Sequence, residues 1–372
     1  MSTSADVIVV GAGIAGASVA AMLSAHREVL LLEAESQPGY HSTGRSAAYY
    51  APSYGNAVVQ RVTAASGPFF RDPPSGFASV PLLVDRPSMY LVADAQMQRL
   101  ASLLASHPHL TRLGVDEVRA RVPMIDKGLV TAGAIDHGGG DLDVDALLQG
   151  FLRLFRDRGG DLIRESRVTA VARRAGAWHA STGTDEYDAP IIVNAAGAWA
   201  DNLAQVAGLG PLGLTPMRRT AALVEPPAGC DITDWPNVID IDEQFYFKPD
   251  AGRLFISPAD ETPFAACDAY ADDIDVAIAI DRIQAVASLD VKRVLASWAG
   301  LRTFAPDRQF VSGFDPRTDG FYWLAGQGGY GVQSSPGMAD IATQLITGEE
   351  GIVDDKEVAA LRPLLSPERL LG

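Results

Sequence analysis

The chain has 372 residues, 47% of them hydrophobic and 20% charged, which is the composition of an ordinary globular protein of two or three domains. Its 30 Lys and Arg residues against 46 Asp and Glu residues give a net charge of −16, and so acidic a surface repels phosphate backbones and argues against a nucleic-acid partner. Two cysteines and no apolar run of membrane-spanning length exclude a disulfide framework and an integral membrane segment, so we expect a cytoplasmic protein without a metal site.

The first forty residues predict a strand, a glycine turn, a helix and a second strand. The β-branched run Val7–Val10 leads directly into Gly-Ala-Gly-Ile-Ala-Gly at residues 11–16. Small residues at 17–25 then predict a helix, and an apolar strand ends at Glu33. A glycine pattern in this context, rather than alone, is typical of a dinucleotide-binding segment.

Each residue of this turn has a physical role in such a segment. Gly11 permits the tight turn, Gly13 lets the backbone approach a pyrophosphate, and Gly16 lets the helix pack closely on the sheet. The first N–H groups of the helix face the anion, and a carboxylate at Glu33 accepts hydrogen bonds from a ribose. The pattern does not separate NAD from FAD. The cofactor contacts predicted here are Gly11, Gly13, Ile14, Ala15, Gly16, Glu33 and Ala34.

Similar features recur along the rest of the chain. They are a core-facing helix over 145–158, a buried strand over 191–193 that runs into Asn-Ala-Ala-Gly, paired strands over 245–248 and 253–256, and a strand over 321–325 followed by a glycine-rich turn and a helix over 335–346. Nucleotide-type features therefore lie near the start, in the middle and at the end. This order predicts one cofactor domain built from separated segments, with a second domain inserted twice.

Residues 33–48 carry the most specific motif, in which the dinucleotide segment continues into Pro-Gly and then Ser-Thr-Gly-Arg-Ser. This continuation resembles the D-amino acid oxidase superfamily of flavoproteins and, within it, the bacterial FAD-dependent D-arginine dehydrogenases of broad specificity. The likeness covers nearly the whole chain. Further matching motifs follow in order at 81–83, 194–199, 211–214, 245–252, 298–302 and 327–331.

The resemblance implies a mixed α/β and α+β fold. A Rossmann-type domain of residues 1–48, 141–215 and 296–372 would hold FAD without a covalent bond, and a substrate domain of residues 49–140 and 216–295 would contribute a mixed, largely antiparallel sheet. The helix after the second glycine-rich turn directs its N–H groups toward the charge that forms on a reduced flavin. The FAD contacts implied are Ser42, Thr43, Gly44, Arg45, Ser46, Ala47, Ala48, Tyr49, Val168, Ala196, Gly197, Gly300, Gly328, Gly329, Tyr330, Gly331, Val332 and Gln333.

Two arginines match the carboxylate-binding arginines of the superfamily, Arg219 and Arg302. A guanidinium suits this task because it stays charged and binds a carboxylate through two parallel hydrogen bonds. Arg302 ends an apolar run, which is a poor place for a solvated charge. Only the alignment of motifs selects Arg219 over Arg218. Tyr246 matches a tyrosine whose hydroxyl donates to the same carboxylate.

The resemblance assigns the substrate amine to the backbone carbonyl of Gly329 and a lid over the substrate to Tyr54. No side-chain base is required if the flavin accepts a hydride, because only the ammonium proton must leave first and water or a tyrosine network accepts it. We therefore interpret His26, His41 and His137 as structural.

The chain departs from the D-arginine dehydrogenase pattern at two positions. Ser88 stands where the family has a glutamate that binds the distal cation, and Tyr49 replaces a pocket histidine. Loss of a charge-assisted partner costs about 1.5–3 kcal/mol, so we expect neutral or hydrophobic D-amino acids to be favoured over D-arginine. Lys248 shares a strand face with Tyr246, and we expect its amine to reach solvent rather than to supply charge near the flavin.

The resulting prediction is FAD-dependent oxidative deamination of D-amino acids. Oxidation of glycine, sarcosine or a cyclic secondary amine, oxidation of a 2-hydroxyacid, and a flavin-binding module without amine chemistry stay open as alternatives. The electron acceptor, O2 or a quinone, is not readable from the chain. A quinone would bring the protein to the surface of the inner membrane without an anchor segment.

Overall fold

A computed structural model describes residues 3–126 and 128–371. The strands are β1 Thr3–Ser4, β2 Val7–Val10, β3 Val29–Leu32, β4 Tyr49–Tyr50, β5 Leu83–Asp85, β6 Ser88–Ala93, β7 Thr111–Gly114, β8 Val130–Asp136, β9 Gly140–Leu142, β10 Asp161–Ile163, β11 Ala170–Arg174, β12 Ala177–Ser181, β13 Glu186–Ala189, β14 Ile191–Asn194, β15 Thr215–Val224, β16 Asn237–Asp240, β17 Tyr246–Asp250, β18 Arg253–Ser257, β19 Thr262–Pro263, β20 Val294–Phe304, β21 Val311–Phe314 and β22 Phe321–Ala325.

The α-helices are α1 Ile14–Leu23, α2 Ala57–Arg71, α3 Met97–Ser106, α4 Val115–Arg121, α5 Val144–Asp157, α6 Ala200–Val206, α7 Asp273–Val286, α8 Ser335–Thr347 and α9 Asp355–Leu365, with short 3₁₀ turns at Asp94–Gln96, Gly197–Trp199 and Pro367–Leu370. None of the helices in the described part of the chain is both long and apolar enough to cross a membrane.

A six-stranded sheet forms the centre of the first domain, in the order β10-β3-β2-β14-β22-β21. Its strands are parallel except for the β21–β22 pair. The inner strands are continuous apolar runs because both faces of the sheet are covered. Val7 and Val9 face a core shared with α1, α5 and α8, whereas Ile8 and Val10 face a core shared with the sheet β1-β13-β12-β11.

A larger sheet forms the centre of the second domain, in the order β19-β15-β18-β17-β16-β6-β8-β7, with β20 paired antiparallel to β15. Most of its pairs are antiparallel, and β16 and β6 are parallel. A small three-stranded sheet, β4-β9-β5, lies where the chain passes from one domain to the other. The predicted combination of a Rossmann-type domain and an inserted mixed sheet is confirmed.

One segment packs differently from the sequence-based division. Helix α2, placed by the sequence in the substrate domain, packs on α8 and joins the core of the first domain through Val58, Val59 and Val62. Tyr50 before α2 and Phe77 and Leu82 after it belong to the same core. The tertiary contacts of these apolar side chains, not their order in the chain, decide which sheet they cover.

Candidate active site

A cavity with a volume of about 350 Å³ lies at the carboxyl ends of β2, β3 and β14, where ligands of parallel sheets bind. Most of the cofactor contacts predicted from the sequence line it. They are Gly11, Gly13, Ile14, Ala15, Glu33, Ala34, Ser42, Thr43, Arg45, Ser46, Ala47, Ala48, Tyr49, Val168, Ala196, Gly197, Gly300, Gly328, Gly329, Gly331, Val332 and Gln333.

Three predicted contacts do not line this cavity. Gly16 is buried in α1, where a Cβ would lie 1.8 Å from the carbonyl oxygen of Gly11, so its role is the close packing of helix on turn. A Cβ on Gly44 would lie 2.9 Å from the carbonyl oxygen of Gly39. Tyr330 turns its ring toward Tyr54, with 5.0 Å between the ring centroids.

The glycine turn has the geometry that a pyrophosphate site needs. Gly11 has a φ of +101°, and a Cβ there would lie 2.6 Å from the carbonyl oxygen of Ala195, so no larger residue fits. The Glu33 carboxylate accepts from the N–H of Ala12 at 2.7 Å and of Glu35 at 2.9 Å, which fixes it at the end of β3. Its remaining lone pairs can accept from ribose hydroxyls.

One detail of the turn differs from the sequence-based expectation. The N–H of Ile14 donates to Thr43 Oγ1 at 3.0 Å, so Thr43 caps the start of α1 from a distant loop. This N–H is therefore not free for an anion, and neither are those of Gly11 and Ala12, which donate to the Leu32 carbonyl and to Glu33. An anion at this turn would be left with the N–H groups of its other residues.

The residues present fit a dinucleotide cofactor. His41 and Gln327 line the cavity, and His41 Nδ1 and Gln327 Nε2 are buried without a hydrogen-bond partner among the described residues. Gly300 and Gly329 leave room in the middle and at the far end of the cavity, since a Cβ would lie 3.3 Å from Arg45 Cβ and 2.7 Å from Arg302 Nη1, respectively. Sequence reasoning interpreted His41 as structural and did not single out Gln327, although both residues lie within recognised motifs.

Arg219 and Arg302 come together at the far end of the cavity. Arg302 pairs with Met217 across β15 and β20, and Arg219 pairs with Gly300, so the two arginines lie on one face of the sheet. Both line the cavity. Arg219 is buried; its Nε donates to the Asp260 carbonyl at 2.7 Å and its Nη2 to Glu261 at 3.1 Å.

Tyr246 completes this group of donors. Arg302 Nη2 lies 3.4 Å from the Tyr246 hydroxyl. Burial by itself would raise the pKa of Tyr246, but the charges of Arg302 and Arg219 outweigh burial and lower it. The two guanidinium groups and the phenol thus lie close together, although Tyr246 is not among the described residues that line the cavity.

Arg218 lies on the opposite face of β15. Its Nη2 donates to Asp275 at 2.6 Å, and its guanidinium lies 5.1 Å from the ring centroid of Phe264. Alternation along the strand therefore separates two adjacent arginines, and only Arg219 faces the cavity.

Tyr54 lies close to the two arginines. Its hydroxyl donates to Glu243 at 3.2 Å. Burial and the Glu243 charge raise the pKa of Tyr54, and the Arg219 and Arg302 charges oppose them. The preceding Ser53 is tied to the buried Asp136 by a bond of 2.5 Å, which fixes the loop that carries Tyr54.

Ser88 does not line the cavity. Tyr49 does, and its hydroxyl donates to the Arg86 carbonyl at 2.6 Å and lies 3.1 Å from Ser88 Oγ. Burial raises the pKa of Tyr49 above its usual range. Ser88 is only 1% exposed, so the side chain that faces the cavity here is the Tyr49 ring.

Lys248 is buried, which corrects the expectation that its amine reaches solvent. Only 3% of the residue is exposed, and its Nζ lies 2.9 Å from Asp141. Arg86 binds the other oxygen of Asp141 at 2.5 Å. The partly exposed carboxylate of Asp141 thus lies between two cations and replaces solvent as the partner of the buried Lys248 amine.

A family model described as DAO, FAD dependent oxidoreductase, matches residues 6–345. One relative is FAD-dependent oxidoreductase domain-containing protein 1 from Xenopus laevis, 27% identical over 207 residues that make up 50% of this chain and 40% of the relative. Another is L-2-hydroxyglutarate dehydrogenase from Escherichia coli strain K12, 28% identical over 222 residues, 55% of this chain and 50% of the relative. The matched regions span half or less of these two relatives.

Among solved structures, glycine oxidase from Geobacillus kaustophilus superposes on this chain with a TM-score of 0.85 at 19% identity, covering 100% of both chains. At this identity the likeness shows a shared fold.

Proposed function

The chain belongs to the DAO family of FAD dependent oxidoreductases, and from this premise we propose that it oxidises D-amino acids to imino acids. Bound FAD supplies the acceptor for a hydride from the substrate α-carbon. The imino acid then reacts with water to give a 2-oxo acid and ammonia. The narrower likeness to D-arginine dehydrogenases stays a prediction.

The convergence of Arg219, Arg302 and Tyr246 carries this proposal. A carboxylate held by two guanidinium groups and a phenol has one orientation, and fixing the carboxylate fixes the α-carbon relative to the rest of the cavity. Arg302 lies beside Gly329, and both residues line the cavity. The clamp and the glycine-lined part of the cavity are therefore adjacent.

The amine is assigned to the backbone carbonyl of Gly329. A carbonyl oxygen accepts a hydrogen bond from an amine and so orients it without removing a proton. The ammonium proton leaves to water, because Tyr54 with its raised pKa is a poor proton acceptor at neutral pH and Tyr246 already serves the carboxylate.

The side chain of the substrate is proposed to be neutral or hydrophobic. The wall formed by Tyr49 is aromatic, and Ser88 behind it carries no charge. A cationic side chain would lose the charge-assisted bond that a carboxylate at this position gives, about 1.5–3 kcal/mol or ten- to a hundredfold in affinity.

Anaerobic reduction of the bound flavin tests the proposal. We expect D-methionine, D-leucine and D-phenylalanine to bleach the flavin absorption faster than D-arginine, and their L-enantiomers not to bleach it. Equal or faster reduction by D-arginine would refute the side-chain assignment. Failure of every D-amino acid would refute the proposed oxidation of D-amino acids. Release of hydrogen peroxide in air distinguishes O2 from a quinone as acceptor.

A 2-hydroxyacid is the second candidate substrate, because the Escherichia coli relative at 28% identity is a 2-hydroxyglutarate dehydrogenase. The same arginines would bind its carboxylate, and a hydroxyl would take the place of the amine. The two candidates differ in product: only the amino acid yields ammonia with each equivalent of reduced flavin. Bleaching by L- or D-2-hydroxyglutarate without ammonia would favour this alternative.

A further inference from the structure

Asp268 joins the second domain to the cofactor cavity. Its carboxylate accepts from Arg45 Nη2, from the Tyr40 hydroxyl at 3.1 Å and from the Tyr270 hydroxyl at 3.1 Å. Arg45 and Tyr40 line the cavity, whereas Asp268 is 223 residues further along the chain than Arg45. One carboxylate therefore holds two donors from the motif segment and one from its own segment.

The other bonds of Arg45 go to the same region. Its Nη1 donates to the Ala269 carbonyl at 2.7 Å and to the Ala299 carbonyl at 3.2 Å. Its guanidinium also lies 5.1 Å from the ring centroid of Tyr40. The guanidinium charge of this predicted FAD contact is thus committed to Asp268 rather than offered to a phosphate.

The segment around Asp268 also packs on a neighbouring part of the cavity lining. Ala269 belongs to a small apolar cluster with Ala198 and Leu301, and Trp199 and Cys267 pack against it. Ala198, Trp199 and Leu301 line the cofactor cavity. Residues 266–270, which we call the strap, therefore contact both the segment that carries Tyr40 and Arg45 and the segment that carries Ala198 and Trp199. These two segments also contact each other directly, with 4.7 Å between the ring centroids of His41 and Trp199.

We propose that the strap retains FAD in its cavity and that Asp268 is the residue that keeps it closed. For the cofactor to leave, these two segments must move away from it, and the strap resists that movement through the bonds of Asp268 and the packing of Ala269, in addition to the direct contact of His41 with Trp199. The Asp268 side chain is 33% exposed, so each bond is modest and the strap can open for loading of the cofactor. The proposal concerns cofactor binding and is independent of the substrate.

The rate of FAD release from the holoenzyme tests this inference. FAD fluorescence rises when the cofactor leaves the protein, so release can be followed after dilution without any substrate. We expect Asp268→Asn to release FAD about three- to tenfold faster, because the amide loses the ion pair with Arg45 but keeps the size of the side chain. Tyr270→Phe removes one hydroxyl at an exposed position, and we expect a smaller acceleration of about twofold.

Asp307 provides a matched control. Its pair with Arg369 has side-chain exposures of 32% and 16%, against 33% and 15% for Asp268 and Arg45. Asp307→Asn should leave FAD release unchanged. High salt should accelerate release from the wild type and not from Asp268→Asn, since salt screens the ion pair that the variant lacks.

Two results would overturn the proposal. One is FAD release from Asp268→Asn at the wild-type rate. The other is equal acceleration by Asp307→Asn, which would indicate general loosening instead of strap opening. If Asp268→Asn does not fold, Tyr270→Phe alone tests the proposal. FAD release from Tyr270→Phe at the wild-type rate would then contradict it.

Discussion

Replacing Arg302 by lysine tests the carboxylate clamp most directly. Among the described residues, the Arg302 side chain has one hydrogen bond, the 3.4 Å contact with the Tyr246 hydroxyl, so most of its five donors are available to a ligand. Arg219 already uses its Nε for Asp260 and an Nη2 donor for Glu261. Arg302 is thus the arginine that can offer two parallel donors.

Arg302→Lys keeps the positive charge and removes the planar pair of donors. Loss of one charge-assisted hydrogen bond costs about 1.5–3 kcal/mol, which raises the substrate Kd about 10- to 150-fold. The free energy of unfolding should change little, because no buried partner is left unsatisfied. Arg219→Lys should raise Kd as well and also lower the free energy of unfolding, since the bonds to Asp260 and Glu261 are broken.

Stopped-flow reduction at varied substrate concentration separates Kd from the rate of flavin reduction. Arg218→Lys is the matched control, because its guanidinium pairs with Asp275 on the other face of the strand, and Kd should stay within about twofold. Binding of a non-reacting carboxylate, followed by the shift of the flavin absorption, gives a second measure that needs no turnover. An unchanged Kd in Arg302→Lys, or equal reduction of the wild type by a D-amino acid amide, would refute the reasoning.

Three further predictions concern stability. Gly16→Ala should abolish the folded holoenzyme, because the added Cβ would lie 1.8 Å from a backbone oxygen. The control Gly176→Ala, at a φ of +87° in open space, should lower the free energy of unfolding by only about 1–2 kcal/mol. Purified Gly16→Ala protein that is yellow and as stable as the wild type would contradict this. Asp141→Ala should lower the free energy of unfolding in urea by about 3–5 kcal/mol, because Asp141 binds two cations. Lys248→Met should lower it less, since Asp141 then still binds Arg86. A larger loss in Lys248→Met than in Asp141→Ala would contradict this. Burial alone would raise the pKa of Asp315, but hydrogen bonds from Arg317 and Trp323 lower it. The carboxylate therefore stabilises the fold fully above about pH 3.9, and this contribution is lost as the pH falls through the folded pKa. Asp315→Asn should weaken the fall in the free energy of unfolding at low pH, and an unchanged fall would contradict this.

Local patterns in the sequence were sufficient for the cofactor half of the protein. The strand, turn and helix of the first segment follow one another in the chain, so the glycines at positions 11, 13 and 16 and the carboxylate of Glu33 could be assigned from spacing. Arg302 was recognised from its match to the superfamily's carboxylate-binding arginines, and its place at the end of an apolar run supports that match because a charge there requires a partner or a ligand. These inferences depend on residues that are neighbours in sequence.

The domain against which a segment packs, and the partners of its side chains, could not be inferred in the same way. Helix α2 has an apolar face that either domain could cover, and the sequence does not say which. The burial of Lys248 depends on Asp141, which lies on a strand 107 residues earlier. The covering of Ser88 by Tyr49 likewise arises from two strands of different sheets.

The sequence by itself therefore determined the nucleotide turn, because glycine conformations and hydrophobic periodicity act over a few residues. The fold class and the family followed from the resemblance of motifs, in order along the chain, to a known superfamily. Only the tertiary structure decided which partner each charged side chain has. Arg45 illustrates the reason: its chemistry suits a phosphate, but its guanidinium is held by Asp268, 223 residues away. A charge inside a protein is bound by whatever the fold brings within hydrogen-bonding distance, and that distance is not encoded in local spacing.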